Sequence, residues 1–286
     1  MDKIDPSRTV LTYATLQDRP PTTGPALRAS RSFNVKQHRR TVVRLLIALL
    51  LAVFSWEFAQ TVGTAWFGQD GEVELTPIRQ QYGSRRYSRN VEEWLIRDHF
   101  QDRRNGVFVD VGANHYRDES NTYFLEKELG WSGIAIDALP EFAGDYRTYR
   151  PRTKFFALFV SDVADSTAVI FEPNKNKLVA SVSREFTENE AGERGNARQV
   201  PTGTLNAILD RSGVSKVDFM SMDIELSEPK ALAGFDIERF LPALVCIEAH
   251  QEVRQQILDY FAKHHYTLVG KYLRADPKNL YFVPLS

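Results

Sequence analysis

Two short apolar runs that each end in an acid constrain this chain most: Gly106-Val-Phe-Val-Asp-Val-Gly-Ala-Asn114 and Gly133-Ile-Ala-Ile-Asp137. Continuous Val/Ile-rich runs of this length read as strands covered on both faces, which occurs almost only in parallel α/β sheets. Ligands of such sheets bind outside the carboxyl ends of the strands, where Asp110 and Asp137 stand. Two such ends joined by a helical segment make a site that can hold a nucleoside.

The rest of the chain alternates in the same way. Strands are predicted over 107–111, 133–137, 154–160, 167–172 (weaker), 217–223, 243–248, 266–270 and 279–283, and helices over 120–129, 140–149, 203–211, 228–235 and 251–263. Asn90-Val-Glu-Glu93 reads as a capped helix start, with Asn90 as N-cap and Glu93 at the capping-box position. The fold class is therefore α/β, a doubly wound and mostly parallel sheet. The polar stretch 173–199 is too long for an ordinary connection and reads as a lid or substrate loop.

An appendage precedes this domain. Residues 1–40 lack apolar periodicity and turn basic through Arg28, Arg31, Lys36, Arg39 and Arg40, as a disordered tail does. Residues 41–67 are largely apolar. They can span a bilayer as an uncleaved signal anchor if Arg44 snorkels and Glu57 sits near the far interface, with Trp56 and Trp66 as interfacial anchors. A cleaved signal peptide, a loose twin-arginine signal and an interfacial helix are the alternatives. Residues 68–84 read as a linker and 85–286 as the domain. The basic flank predicts a single-pass membrane protein with a cytoplasmic N-terminus, its domain on the opposite side. A net charge of −1 gives nucleic acid no electrostatic support as a partner. The lone Cys246, inside an apolar run, is predicted to be a core residue.

The glycines select the cofactor. Dinucleotide turns need G-x-G-x-x-G so that pyrophosphate can approach the backbone, and here only Gly112 fits, with Asn114 and His115 where further glycines would stand. NAD is disfavoured, and a nucleoside ligand without phosphate, S-adenosylmethionine, suits the turn. Gly112 would let the backbone pass close to its amino-acid part, Asp137 would accept from both ribose hydroxyls, and Ser161-Asp162 would meet the adenine amino group. Two later strands deliver Asp223 with Glu225, and Glu248 with His250, to the same edge. Carboxylates clustered there are tolerable if they bind hydroxyls, a cation or a metal.

In order along the chain, Phe108-Val-Asp-Val-Gly-Ala-Asn114, Ser120-Asn-Thr-Tyr-Phe-Leu-Glu126, Gly130-Trp-Ser-Gly-Ile-Ala-Ile-Asp137, Thr204-Leu-Asn-Ala-Ile-Leu209, Val217-Asp-Phe-Met-Ser-Met-Asp-Ile-Glu225 and Cys246-Ile-Glu248 resemble the FkbM-type methyltransferases over roughly residues 85–284. The resemblance implies a class I S-adenosylmethionine fold, with a doubly wound, mostly parallel seven-stranded sheet, and methyl transfer to a hydroxyl of a glycan, lipid or small molecule. By position it places Asp110, Gly112 and Asn114 in the first cofactor loop, Asp137 as the ribose acid, and Asp223 with Glu225 as the acidic motif after the fourth strand. Two departures stand out. The family's Glu-Gly-x-Glu becomes Glu225-Leu226-Ser227-Glu228, losing a glycine's tight backbone approach, and its Glu-Pro becomes Asp137-Ala138.

For mechanism, Asp223 or Glu225 is expected to orient the acceptor hydroxyl and Glu248 or His250 to take its proton. A divalent metal on Asp223, Glu225 and Glu248 is the less favoured variant, and none is assigned. The competing class is a non-catalytic, membrane-anchored binding or trafficking protein that keeps the fold. Its motivation is the predicted topology, which puts the domain away from the compartment that makes the methyl donor.

Overall fold

The computed structural model describes residues 75–285. The expected tail and anchor (1–67) and the start of the linker lie outside them, and among the described residues no helix is long and apolar enough to cross a membrane. The described residues begin inside the expected linker, where helix α1 (Leu75–Tyr82) buries Ile78 and Tyr82 in the core. Helix α2 (Glu92–Phe100) follows, and its start differs from expectation. Ser88, not Asn90, provides the reciprocal pairing: its Oγ accepts from Glu93 N (3.1 Å) while Glu93 Oε2 accepts from Tyr87 N (2.7 Å). The turn before the helix brings this more distant hydroxyl within reach.

Strand β1 (Val107–Val111), helix α3 (Tyr123–Lys127), β2 (Ser132–Asp137), helix α4 (Ala143–Tyr149) and β3 (Thr153–Ala157) form the first half of the sheet. The second half is built from β7 (Phe219–Met222), α7 (Glu228–Ala233), α8 (Ile237–Phe240), β8 (Leu244–Glu248), α9 (Gln251–Lys263), β9 (Tyr266–Leu268) and β10 (Asn279–Pro284). The order across the sheet is β3-β2-β1-β7-β8-β10-β9. The five strands from β3 to β8 are parallel, and β10 is antiparallel to both neighbours. The seven strands expected are present, but the sheet is mixed at its β9–β10 edge. Strand order reverses between β1 and β7, and that switch point opens a crevice at the carboxyl ends.

Alternation along the strands supplies both faces. Val109, Val111, Ile134, Ile136, Met220, Met222, Val245 and Ile247 pack on one side, with Ile257 and Phe261 of α9 four residues apart. Phe108, Phe219, Leu244 and Cys246 pack on the other against Trp94 and Leu95 of α2 and Trp131. Cys246 is the buried core residue expected.

The middle of the chain departs from the sequence reading. The run 154–160 does not stay in one sheet: after Leu158 the chain leaves, and β4 (Phe159–Val160) pairs in parallel with Thr202 and Gly203. The stretch 173–199 is not a loop. It holds helix α5 (Arg184–Ala191), capped by Ser183 and ended by Gly192 in the left-handed region. It then enters β6 (Asn196–Gly203), which pairs antiparallel with β5 (Thr167–Glu172) before helix α6 (Leu205–Ser212). The result is a three-stranded arm, β4-β6-β5, over a satellite core of Leu139, Phe159, Ile170 and Val200. Charges that suggested a loop are paired on its surface: Lys177 and Arg198 both reach Glu141 and Glu172.

A buried arginine ties the first half together. Arg150, fully shielded, donates to Glu126 Oε2 (2.5 Å), Tyr116 O (2.8 Å) and Thr122 Oγ1 (3.1 Å), and Thr122 in turn donates to Asp110 Oδ2 (2.6 Å). Removing one member of such a pair leaves an uncompensated charge inside the protein. Arg150→Met is therefore expected to lower unfolding free energy by about 3–5 kcal/mol in urea titrations, and the double variant Arg150→Met/Glu126→Gln to recover part of the loss.

Candidate functional site

The switch point is closed by a backbone contact between β1 and β7. Gly112 has φ +81°, and a Cβ there would lie 1.8 Å from the carbonyl oxygen of Asp223. Only glycine allows the turn after β1 to lie against the end of β7. Gly112 N and Ala113 N both donate to Ile136 O, and Asn114, itself left-handed at φ 48°, donates its N–H to Asp137 Oδ2 (2.9 Å). Asp137 Oδ1 accepts from Leu139 N (2.8 Å), so one carboxylate clamps the loops after β1 and β2. Burial pushes its pKa up to about 6 in spite of those two donors.

Asp110, buried and held by Thr122, has its pKa raised by burial and lines the cavity below this turn. That cavity, of about 210 Å³, reaches from Gly112 and Asn114 past Asp223 and Glu225 to Glu248 and His250. A second, apolar cavity adjoins it at Gly112, Asn114, Asp223 and Glu225 and continues along Asp137, Leu139, Leu158, Phe159, Val160 and Ile170. Thus eight of the expected site residues converge: Asp110, Gly112, Asn114, Asp137, Asp223, Glu225, Glu248 and His250. Ser161 and Asp162 line neither cavity, and Ser161 Oγ donates to Asp162 Oδ1 (3.0 Å). Their predecessors Phe159 and Val160 take that wall instead.

After β7 the backbone turns through two consecutive left-handed residues, Glu225 (φ 52°) and Leu226 (φ 75°). The backbone conformation that glycine would favour at 226 is thus kept, with a leucine adopting it at a strain of roughly 1–2 kcal/mol. Leu226 packs against the main core, and two bonds fix the turn: Ser181 Oγ donates to Glu225 O (2.7 Å) and Ile224 N donates to Glu228 Oε1 (3.0 Å).

Four titratable groups meet at the cavity wall. His250 Nε2 lies 3.2 Å from Glu225 Oε2 and 3.0 Å from Glu248 Oε2. The hydrogen bond with Glu225, then the close approach of Glu248, raises the His250 pKa to about 10, so the ring is cationic at neutral pH. Asp223 opens onto the cavity, yet its enclosure by protein, then the charges of Glu248 and Glu225, holds its carboxyl well above the usual range. Burial raises Glu225, opposed by His250. Burial also pushes Glu248 up, but the approach of His250 and Asp223 outweighs it and leaves Glu248 below its ordinary value. At neutral pH His250 is thus cationic and Glu248 anionic, while Asp223 and Glu225 hold a proton more tightly than free carboxyls do. Glu225, Glu248 and His250 also bring one donor atom each to within 4.8 Å of one another.

Several wall residues were not read from the sequence. Asn121 Nδ2 donates to Ser221 Oγ (3.0 Å), and both face the cavity. The rings of Phe186, on α5, and His250 meet edge to face, with centroids 5.0 Å apart. Glu190, Arg89, Lys278 and Asn279 complete the wall. Of the stretch 173–199, Asn176, Leu178, Val179, Phe186 and Glu190 line the cavity, and they do so from a folded arm.

The comparisons with known proteins follow. The methyltransferase FkbM domain family matches residues 110–268. No curated protein matches the chain in sequence. Solved structures with a similar course include 1,6-didemethyltoxoflavin-N1-methyltransferase from Burkholderia thailandensis, with 14% identity over 84% of this chain and 89% of that one, TM-score 0.35. A precorrin-6y C5,15-methyltransferase from Geobacter metallireducens has 9% identity over 68% and 87%, TM-score 0.40. A TehB-like S-adenosylmethionine-dependent methyltransferase from Corynebacterium glutamicum has 13% identity over 74% and 95%, TM-score 0.38.

Glu228 yields a stability test. Fully shielded, with Oε2 unpartnered, it has its pKa raised by burial from 4.5 to about 7. A raised acid stabilises the fold fully below its unfolded value and loses that contribution as pH rises through the folded value. Between about pH 5 and about pH 8 the wild type should lose ~2–3 kcal/mol relative to Glu228→Gln, read from urea midpoints.

Proposed function

The chain belongs to the methyltransferase FkbM family, and from that premise we propose that it moves a methyl group from S-adenosylmethionine to a hydroxyl of a small-molecule, glycan or lipid acceptor. The observation that carries this reading is the junction at Gly112, where the turn after β1 lies against the Asp223 carbonyl with an apolar cavity on one side and the acidic wall on the other.

The residues present fit the cofactor. Gly112 leaves backbone exposed where the amino-acid part would lie. Each oxygen of Asp137 holds one backbone amide and keeps acceptor capacity for a ribose hydroxyl. Leu139, Phe159, Val160 and Ile170 offer an apolar slot for the adenine ring. When bound, S-adenosylmethionine supplies a methyl group on a sulfonium, open to in-line attack by oxygen.

The chain's own contribution is alignment and proton handling. Asp223 and Glu225 orient the acceptor hydroxyl, and Glu248, the group kept anionic, receives the proton that the hydroxyl loses. His250, already cationic between two carboxylates, holds Glu225 and Glu248 in place and does not act as the base. Asn121, Ser221 and Asn176 supply hydrogen-bonding groups suited to a hydroxyl-rich acceptor. The same proposal includes tethering through residues 41–67, supported by their apolar run and basic flank, with the N-terminus cytoplasmic. On intact vesicles the 85–286 domain should then resist protease until the membrane is permeabilised, and digestion before that step would reverse the sidedness.

Calorimetric titration of the full chain with S-adenosylmethionine should give one site per chain, and absence of heat would overturn the reading. The ribose role requires the Asp137 carboxylate, so affinity should fall as pH drops through about 6. Asp137→Asn should bind at least about tenfold more weakly and lose that pH dependence.

A further inference from the structure

The acidic wall contains more than acceptor binding and proton transfer use. Glu225 follows β7, Glu248 ends β8 and His250 comes two residues later, so neighbouring parallel strands deliver all three to one side of the cavity. Their spacing is that of a coordination shell. Ligands about 2.1 Å from a cation and at right angles to one another lie ~3.0 Å apart, and the His250 Nε2 contacts are 3.0 Å to Glu248 and 3.2 Å to Glu225.

An independent observation points to a ligand at this place. Glu248 is only 8% exposed, and its Oε2 makes no aligned hydrogen bond with any described group despite lying in the wall beside His250. The His250 Nε2 lies 3.0 Å away but gives its hydrogen bond to Glu225, so the Glu248 oxygen keeps an acceptor position open to a ligand. Asp223, Glu228 and Glu190 crowd the same carboxylates, and His250 and Lys278 are cations whose charge reaches Glu248.

We propose that Glu225, Glu248 and His250 form a three-donor site for a divalent cation of the Mn(II) or Fe(II) kind. Two carboxylates with an imidazole suit these ions better than Mg(II), which favours oxygen ligands and retained water, and thiolates that would select zinc or copper are missing from the set. Phe186 packs its edge on the His250 ring and limits its rotation, which orients the nitrogen toward the two acids. The remaining coordination positions face the cavity, beside Asn121 and Ser221, where an acceptor hydroxyl would sit. There the ion would replace the proton that His250 otherwise carries and acidify that hydroxyl, with Asp223, on the same wall, taking its proton in place of the metal-bound Glu248. This catalytic use rests on the methyltransferase reading above, whereas binding of the ion does not.

The test uses the full chain, purified through chelator in detergent and titrated with MnCl₂ at neutral pH while free Mn(II) is followed by electron paramagnetic resonance. One ion per chain should be taken up, and electron spin-echo modulation should reveal a directly bound imidazole nitrogen. His250→Gln should lose the nitrogen modulation, and Glu248→Gln should weaken uptake at least about tenfold, each with an unchanged far-ultraviolet circular dichroism spectrum. Undiminished free Mn(II) signal at millimolar concentration, or uptake by the wild type without nitrogen modulation, overturns the proposal whether or not the variants fold. S-adenosylmethionine titrated into the chelated protein separates the two readings. Heat without Mn(II) uptake leaves methyl transfer standing and removes the metal, and Mn(II) uptake without heat does the reverse.

Discussion

The approach of the Gly112 backbone to the Asp223 carbonyl governs the architecture around the site. It brings the turns after β1 and β7 together at the point where strand order reverses, and so decides that the apolar slot and the acidic wall share a border. Everything nearby is arranged to hold that approach. Asp137 clamps the first turn through Asn114, Glu228 and Ser181 hold the second, and Arg150 fixes the buried segment beneath Asp110. A side chain at position 112 would force these supports apart together.

The acidic wall illustrates how a fold can assemble groups that repel one another. Asp223, Glu225, Glu228 and Glu248 sit close enough to shift each other's protonation, and their cost is offset by the imidazolium at His250 and the backbone donor on Glu228. Such an arrangement adds little to stability. Its persistence in an otherwise well-packed sheet accords with a site kept for what it binds.

Much of this was legible in the sequence, for identifiable reasons. Buried parallel strands have continuous apolar runs, so Val107–Val111 and Leu244–Glu248 declared themselves along with the acids at their ends. Gly112 and Asp137 followed from the chemistry of a turn against a nucleoside. What stayed hidden depends on partners distant in the chain. Nothing in Phe155-Phe-Ala-Leu-Phe-Val160 marks the change of sheet at Leu158, which is decided by pairing with Thr202 and Gly203. The arm was masked by its charges, whose partners Glu141 and Glu172 are not neighbours in sequence. Leu226 misled in another way, because a leucine can occupy a left-handed conformation when Ser181 and Glu228 hold the turn. Lys278 and Asn279 reach the cavity only through the antiparallel β10, which no local pattern announces.

The arm contributes Asn176, Leu178 and Phe186 to the cavity, and Glu141 is the carboxylate outside the arm to which both Lys177 and Arg198 bind. Those groups are substantially open to water, so their attraction is subject to counter-ion screening, with a Debye length of about 8 Å at physiological ionic strength. The arm is thus fastened twice, by ion pairs that salt screens and by apolar packing around Leu139, Phe159 and Val200 that lies outside such screening. Ionic strength weighs on the first fastening alone.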